Sequence, residues 1–343
     1  MKTGRTEAWL ARLSDPRGAN DRFRPRPFDV AERGQMERLV ALAARHNVRP
    51  AFSRNLLRQL KEAPQDFLTG DAQAAAATSS WLSDHANDLR VGDFARASLL
   101  AEVAGTVREK IAAAALPAVI VKGVDFAEVA YGGLHLRTFS DVDLLVRPDA
   151  ADALGAILRD LGFTEHVPSG KRVDYTERAW TRADHHGTTL VEVHTDVVHA
   201  PELRAAQSLT YDLYADPALG GVTPAARLVL AALHGSTSHL FGRLQYVVDG
   251  LMVARLDPDP DELLVRAKRS GATLPLVTML RLATEIYGCE ISADLLRRLG
   301  PLRWGGLEAR LIPAYMVLAA KGEGRWMLLP QRYIYRRLLR TTF

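Results

Sequence analysis

A single cysteine, Cys289, occurs in 343 residues, so no intrachain disulfide can form. A thiolate zinc site and a disulfide-stapled secreted scaffold are excluded with it, and Cys289 reads as a small buried hydrophobe. Long apolar runs are missing too. The longest, 111–121 and 311–320, fall well short of the roughly 18 residues that span a bilayer, and the opening Met1-Lys2-Thr3-Gly4-Arg5-Thr6-Glu7 lacks the apolar core of a signal peptide. A cytoplasmic protein with no membrane partner is expected. Excess charge of one sign is small: 44 Lys and Arg face 40 Asp and Glu, and a net charge of +4 is too little for a dedicated nucleic-acid binder. The excess gathers near the end of the chain, where Arg332, Arg336, Arg337 and Arg340 interleave with Tyr333 and Tyr335. Nucleic acid is a conceivable partner there, but a solvated helix face with packed tyrosines is the preferred reading. No repeat with a period of about 20 to 50 residues is present.

What is there is ordinary globular composition, 48% hydrophobic and 24% charged, long enough for two domains or one with helical additions. Residues 1 to about 30 are rich in Arg, Pro, Gly and Asp and predict an irregular arm. Met36, Leu39, Val40 and Ala43, then Leu56, Leu57 and Leu60, predict two helices with a break near Pro50. A further helix is predicted over 93–115, where Leu99, Val103, Val107 and Ile111 form one apolar stripe ended by Pro117. From Ala118 the period changes. Runs 118–121 and 142–146 read as buried strands, with a short helix over 127–131 and a Gly132-Gly133 turn between them. An amphipathic helix over 150–161 stops at Gly162, a polar stretch over 167–187 predicts a hairpin or mobile loop, and a third strand is expected at 189–195. After Pro201 the chain turns helical again, through Leu228, Leu230 and Leu233 and through Leu244, Val247, Val248 and Leu251. The fold class is therefore α+β, divided into an N-terminal arm and helical segment (1–115), a small sheet unit (116–200) and a C-terminal helical domain (201–343).

The chemistry-bearing residues fall on those strands. Asp141 and Asp143, at i and i+2 in an apolar run, point the same way from a strand. Two acids on a buried face repel each other and are costly to desolvate, so a divalent cation, most simply Mg²⁺, is the natural counter-charge. That pattern points to phosphate chemistry. On the third strand Glu192, His194 and Asp196 alternate with Val191, Val193 and Val197, which places three polar side chains on one face. Glu192 can complete a carboxylate triad, and such a triad can clamp two Mg²⁺ ions that align an attacking oxygen with a nucleotide's α-phosphate as pyrophosphate leaves.

Several segments together, Val121-Lys122-Gly123, Tyr131 to Gly133, Arg137, Ser140-Asp141-Val142-Asp143-Leu144-Leu145-Val146, Leu161-Gly162-Phe163 and Val191-Glu192-Val193-His194, carry a resemblance. With Leu42 to Val48 upstream and His234 and Arg243 to Asp249 downstream, the chain resembles, over about residues 35–255, the bacterial nucleotidyltransferase family with a polymerase-β-like palm. More closely it is similar to the branch often encoded beside peptide natural-product genes, including lasso peptide clusters. The resemblance implies a palm with a small mixed sheet, preceded by a helical segment and followed by a helical bundle. It implies metal ligation by Asp141 and Asp143, with Glu192 as third ligand or general base. Gly123 would let the backbone approach the triphosphate, and Lys122, Arg137 and Ser140 would contact phosphate. The implied reaction is Mg²⁺-dependent transfer of a nucleoside monophosphate from an NTP, taken as ATP on abundance, to a hydroxyl or phosphate of an acceptor such as a peptide natural product.

Other readings stay open at this point: a toxin-like member acting on protein or RNA, and a catalytically silent nucleotide-binding protein on the same fold. A haloacid-dehalogenase-type phosphatase fits less well, since Leu144 and Leu145 follow the acid pair. A metal-dependent glycosyltransferase needs an upstream nucleotide-binding domain where residues 30–115 read helical. His194 is placed as a neighbour of the site, His185 and His186 as solvated loop residues, and His234 and Asp249 as braces of helices or of the residues around the site.

Overall fold

The computed structural model describes residues 4–166, 176–184, 187–300, 302, 305–319 and 325–341. His185, His186 and the part of the predicted loop at 167–175 lie outside the described residues. The chain opens with α1 (Arg5–Leu13), then a two-residue strand β1 (Phe28–Asp29), α2 (Arg33–Arg45) and α3 (Arg49–Glu62). A second short strand, β2 (Leu68–Thr69), pairs in parallel with β1 before the long helix α4 (Ala72–Ala113). The sheet region follows as β3 (Ala118–Val121), α5 (Gly123–Val129), β4 (Val142–Val146), α6 (Ala151–Asp160), β5 (Thr164–His166), β6 (Glu177–Asp184) and β7 (Gly187–His194). The remainder is helical: α7 (Pro201–Arg204), α8 (Tyr211–Tyr214), α9 (Pro224–Leu233), α10 (Leu244–Ala254), α11 (Pro260–Arg269), α12 (Thr273–Tyr287), α13 (Glu290–Leu299), α14 (Ala314–Leu318) and α15 (Arg325–Leu338). The α+β class and the small mixed sheet are as expected. No described helix is long and apolar enough to cross a membrane.

Three expectations need correction. The irregular arm contains α1, because Trp9, Leu10 and Leu13 bury one face of that turn-rich segment, with Trp9 packed on Phe28 and Phe67 at ring distances of 6.3 and 4.7 Å. The helix predicted from residue 93 starts at Ala72, where the Asp71 side chain accepts from the Ala74 amide. Its first half buries little beyond Leu82 and Ala86, so no apolar stripe announces it. The short helix predicted over 127–131 is α5 at Gly123–Val129, which follows directly on the Lys122 turn and ends before Gly132 with its φ of 76°, whereas the break near Pro50 lies where expected, at Asn47 with φ 55°, Pro50 itself sitting in the first turn of α3.

The five-stranded sheet runs β3-β4-β7-β6-β5, with β4 and β7 parallel and the other neighbours antiparallel. Strand alternation gives it two unlike faces. Ile120, Leu144, Val193 and Trp180 turn towards α6 and the C-terminal half of α4, where Leu100, Ala104 and Val107 complete a core of their own. The opposite face sends Val121 and Leu145 into a larger core built from α1 to α3 and the helices after residue 200, and carries Asp143, Glu192 and His194 beside them. At 42 residues α4 is about 63 Å long and serves both cores, with Leu82 in one and Leu100 in the other.

One buried and one part-buried ion pair fasten the sheet region to the helices that follow it. Arg137 grips Asp249 of α10 with two bonds, Nε to Oδ1 at 2.8 Å and Nη2 to Oδ2 at 2.9 Å, and Tyr131 donates to the same carboxylate at 2.7 Å. Asp125 of α5 is held by Arg227 of α9 through two bonds of 2.8 Å. Removing one member of such a pair strands a charge in a dry environment. Asp249→Ala is therefore expected to cost about 3–5 kcal/mol of stability, read as a lower urea midpoint; a loss below about 1 kcal/mol would contradict this account of the clamp.

Candidate functional site

β3 delivers Lys122 at its end with φ 54° and ψ −120°, a sparsely populated conformation for a residue with a side chain. The strained turn aims the ammonium back along the sheet, where Nζ lies 2.5 Å from Asp143 Oδ1. Register does the rest. Val121 faces Asp143 across β3 and β4, and Asp143 faces Glu192 across β4 and β7. His194, two residues further along β7, places Nε2 2.9 Å from Asp143 Oδ1 and 3.7 Å from Glu192 Oε2. Asp141 stands just before β4, with Ser140 donating to its Oδ2 at 3.3 Å.

These groups open into a cleft of about 590 Å³ between the sheet and the C-terminal helices. Lys122, Gly123, Arg137, Ser140, Asp141, Asp143 and Glu192, the residues singled out from the sequence, all line it. Their local duties differ. Arg137 is in the wall, but its guanidinium is committed to Asp249 and to the Gly123 carbonyl. Gly123 leaves room for its neighbours: a Cβ there would lie 3.3 Å from the Phe139 Cβ and 3.4 Å from the Asp141 carbonyl oxygen. Asp196 belongs elsewhere. The strand ends before it, and its carboxylate accepts from the amides of Val198 and Leu209 and from Ser208 Oγ at 2.6 Å, so it braces the turn after β7 and does not share the face of Glu192 and His194.

Burial and charge set the protonation of the row. Burial pushes the Asp143 carboxyl up, but the Lys122 ammonium and the His194 hydrogen bond outweigh it and hold Asp143 below the usual carboxylate range. Burial, reinforced by the Asp143 charge, raises Asp141 to about 6 and Glu192 to about 8. Burial and then the Lys122 charge lower His194, which stays neutral. Four carboxylates, Asp141, Asp143, Glu177 and Glu192, thus line the cleft, with Lys122 in contact with one of them. Donor atoms of Asp143, Glu192 and His194 lie within 4.8 Å of one another. An acid-rich set in which Asp141 and Glu192 are pushed up by burial and by their neighbours' negative charge is short of counter-charge, and that fits a hard dication.

On the facing wall the sequence pointed only to His234 and the segment from Arg243 to Asp249, through the resemblance, and not to Thr237, Ser238, His239 or Arg336. A π-helical turn, His234–Ser238, joins α9 to α10 and brings His234, Thr237 and Ser238 to the cleft. Beyond it an exposed His239 lies flat on Tyr246, with ring centroids 4.4 Å apart and planes 9° from parallel. Arg243, which pairs with no carboxylate among the described residues, and Arg336 of α15 supply positive charge. The run His234-Gly235-Ser236-Thr237-Ser238-His239, small polar residues breaking a helical pattern between two histidines, was the available signal for this wall.

A family model described as an uncharacterised nucleotidyltransferase matches residues 32–288. The chain belongs to that family. No curated protein and no solved structure matches it. The matched span of this nucleotidyltransferase runs from the start of α2 to the residue after α12, so it takes in the sheet, the π-helical turn and Arg243, while Arg336 comes from outside it.

Because Glu192 holds its proton more tightly when folded, the stability that proton confers is present below its ordinary value of 4.5 and is lost as pH rises through about 8. In metal-free protein the melting temperature of Glu192→Gln should therefore rise relative to wild type across this window, and added Mg²⁺ should narrow the gap. A difference that stays flat with pH in chelator would refute the electrostatic description of the row.

Proposed function

We propose that this nucleotidyltransferase moves a nucleoside monophosphate from an NTP to a hydroxyl or phosphate of an acceptor, on a palm of the polymerase-β type. The observation that carries the reading is the row formed by Lys122, Asp143 and Glu192, with Asp141 beside it in the same cleft. The order of parts supports the palm: a strand followed directly by Lys122-Gly123, a short helix, an antiparallel strand that carries Asp143 with Asp141 just before it, and a parallel neighbour bearing the third acid. Asp141 and Asp143 would hold Mg²⁺, which when bound neutralises charge on the α-phosphate and the departing pyrophosphate, and Glu192 is left to act as base.

The chain's own groups account for the rest. The acceptor oxygen attacks the α-phosphorus, the bond to pyrophosphate breaks, and Glu192, whose basicity lies near neutral pH, takes the acceptor proton. Lys122 keeps Asp143 ionised and in place. Since Lys122 and Arg137 are already paired on the sheet side, the triphosphate oxygens are met from the facing wall by Arg243 and by Arg336, whose partner Glu202 is partly exposed and readily exchanged. The flat surface of His239 on Tyr246 suits a nucleobase. ATP is the donor favoured on abundance, and the resemblance to the branch found beside peptide natural-product genes supports a peptide acceptor.

Incubation with Mg²⁺, α-labelled ATP and candidate peptides should transfer label, and mass spectrometry of the product identifies both the nucleotide and its position. Asp143→Asn and Asp141→Asn should each lower transfer at least about a hundredfold; undiminished labelling in both would sink the assignment. Arg243→Ala should raise the KM for NTP about tenfold with little change in kcat, as expected for lost ground-state contact.

A further inference from the structure

The hydrogen bonding of His194 leaves one feature of the cleft floor that nucleotide transfer does not use. His194 is 1% exposed, and its Nε2 is engaged by Asp143, yet Nδ1 has no hydrogen-bond partner among the described residues. A buried ring nitrogen left in this way is disfavoured unless a ligand takes it. Two further donors stand beside the ring. Glu177, at the start of β6, is paired directly with His194 across the antiparallel ladder. The His199 ring lies 4.9 Å from that of His194, and its Nδ1 is 3.8 Å from Glu177 Oε2. One donor atom from each of the three falls within 4.8 Å of the others.

We propose that Glu177, His194 and His199 bind a borderline dication of the Zn²⁺ class, at a site distinct from that of Asp141, Asp143 and Glu192. Two imidazoles and one carboxylate are the donors such ions prefer, whereas Mg²⁺ takes oxygen. Three protein ligands leave one tetrahedral position open. Asp143, bonded to the far nitrogen of His194, fixes the ring and its tautomer as an outer-sphere carboxylate does for a metal-bound imidazole. Two of the ligands sit on paired strands, so the sheet holds them ready. Glu177 and His199 also line the cleft, which brings the ion within reach of a molecule held there.

The test does not depend on nucleotide transfer. Full-length protein stripped with chelator is titrated with Co²⁺ and, separately, with Zn²⁺ by calorimetry. One Co²⁺ per chain with the intense visible bands of four-coordinate cobalt, displaced by equimolar Zn²⁺ but not by a large excess of Mg²⁺, is the expected result. His199→Ala and Glu177→Gln should each weaken Zn²⁺ binding at least about tenfold, while melting like wild type in chelator. Absence of stoichiometric Co²⁺ or Zn²⁺ binding, displacement by Mg²⁺, or unchanged Zn²⁺ affinity in both variants would overturn the proposal.

Discussion

The cleft depends on the grip of Arg137 on Asp249. Both groups are almost wholly buried, and the two parallel bonds between guanidinium and carboxylate, with Tyr131 as a third donor, fix the start of β4 against α10. Without that geometry the acid row would face an ill-defined surface. With it, the sheet edge and the π-helical turn stand opposite each other across a defined space. The second tie, Asp125 to Arg227, sets the same two bodies from α5 and α9. Buried pairs of this kind add little net stability over apolar packing, but they tolerate few alternative arrangements, and a site that must hold several charges in register benefits from that.

Charge within the cleft is deliberately unbalanced. Lys122 satisfies Asp143 and Asp249 satisfies Arg137, so neither sheet-side cation has a free share of charge for phosphate, while Asp141 and Glu192 are paired with no cation and bind protons more tightly than ordinary carboxylates. The imbalance favours metal on the sheet side and anionic ligand on the helical side. A strained Lys122 backbone is part of the arrangement: the conformation costs about 1–3 kcal/mol and is maintained because the surrounding strands and α5 over-determine it.

Three strands of the sheet were legible as apolar runs closed by polar residues, Val142 to Val146 above all, while β5 and most of β6, which are polar and partly exposed, gave no such signal. The acids were legible because strand alternation is a local rule. Misreadings came where composition misled or where the deciding partner is distant in sequence. α1 looked irregular because its Arg, Gly and Asp neighbours outweighed Trp9 and Leu10, whose partners Phe28 and Phe67 come later in the chain. The first half of α4 shows no stripe because it is largely exposed. Asp196 matched the alternation of Glu192 and His194, but a strand's end is set by where its ladder bonds stop, and the last of those is from the Thr195 amide to the Thr176 carbonyl.

What the sequence by itself determined is the local chemistry: an aspartate on one strand with a second just before it, a glutamate and a histidine on another, a Lys-Gly turn and a fold class, most of which follow from periodicities of two and about 3.6 residues. Which charges would be spent on each other was decided by the tertiary structure alone. Arg137 and Asp249 are 112 positions apart, Asp125 and Arg227 102, and Asp143 and His194 51. Glu177 became a neighbour of His194 through hairpin register, and His239, Tyr246 and Arg243 reached the cleft through a π-helical turn. Pairing across such distances depends on how the sheet and helices pack, and no local pattern encodes that.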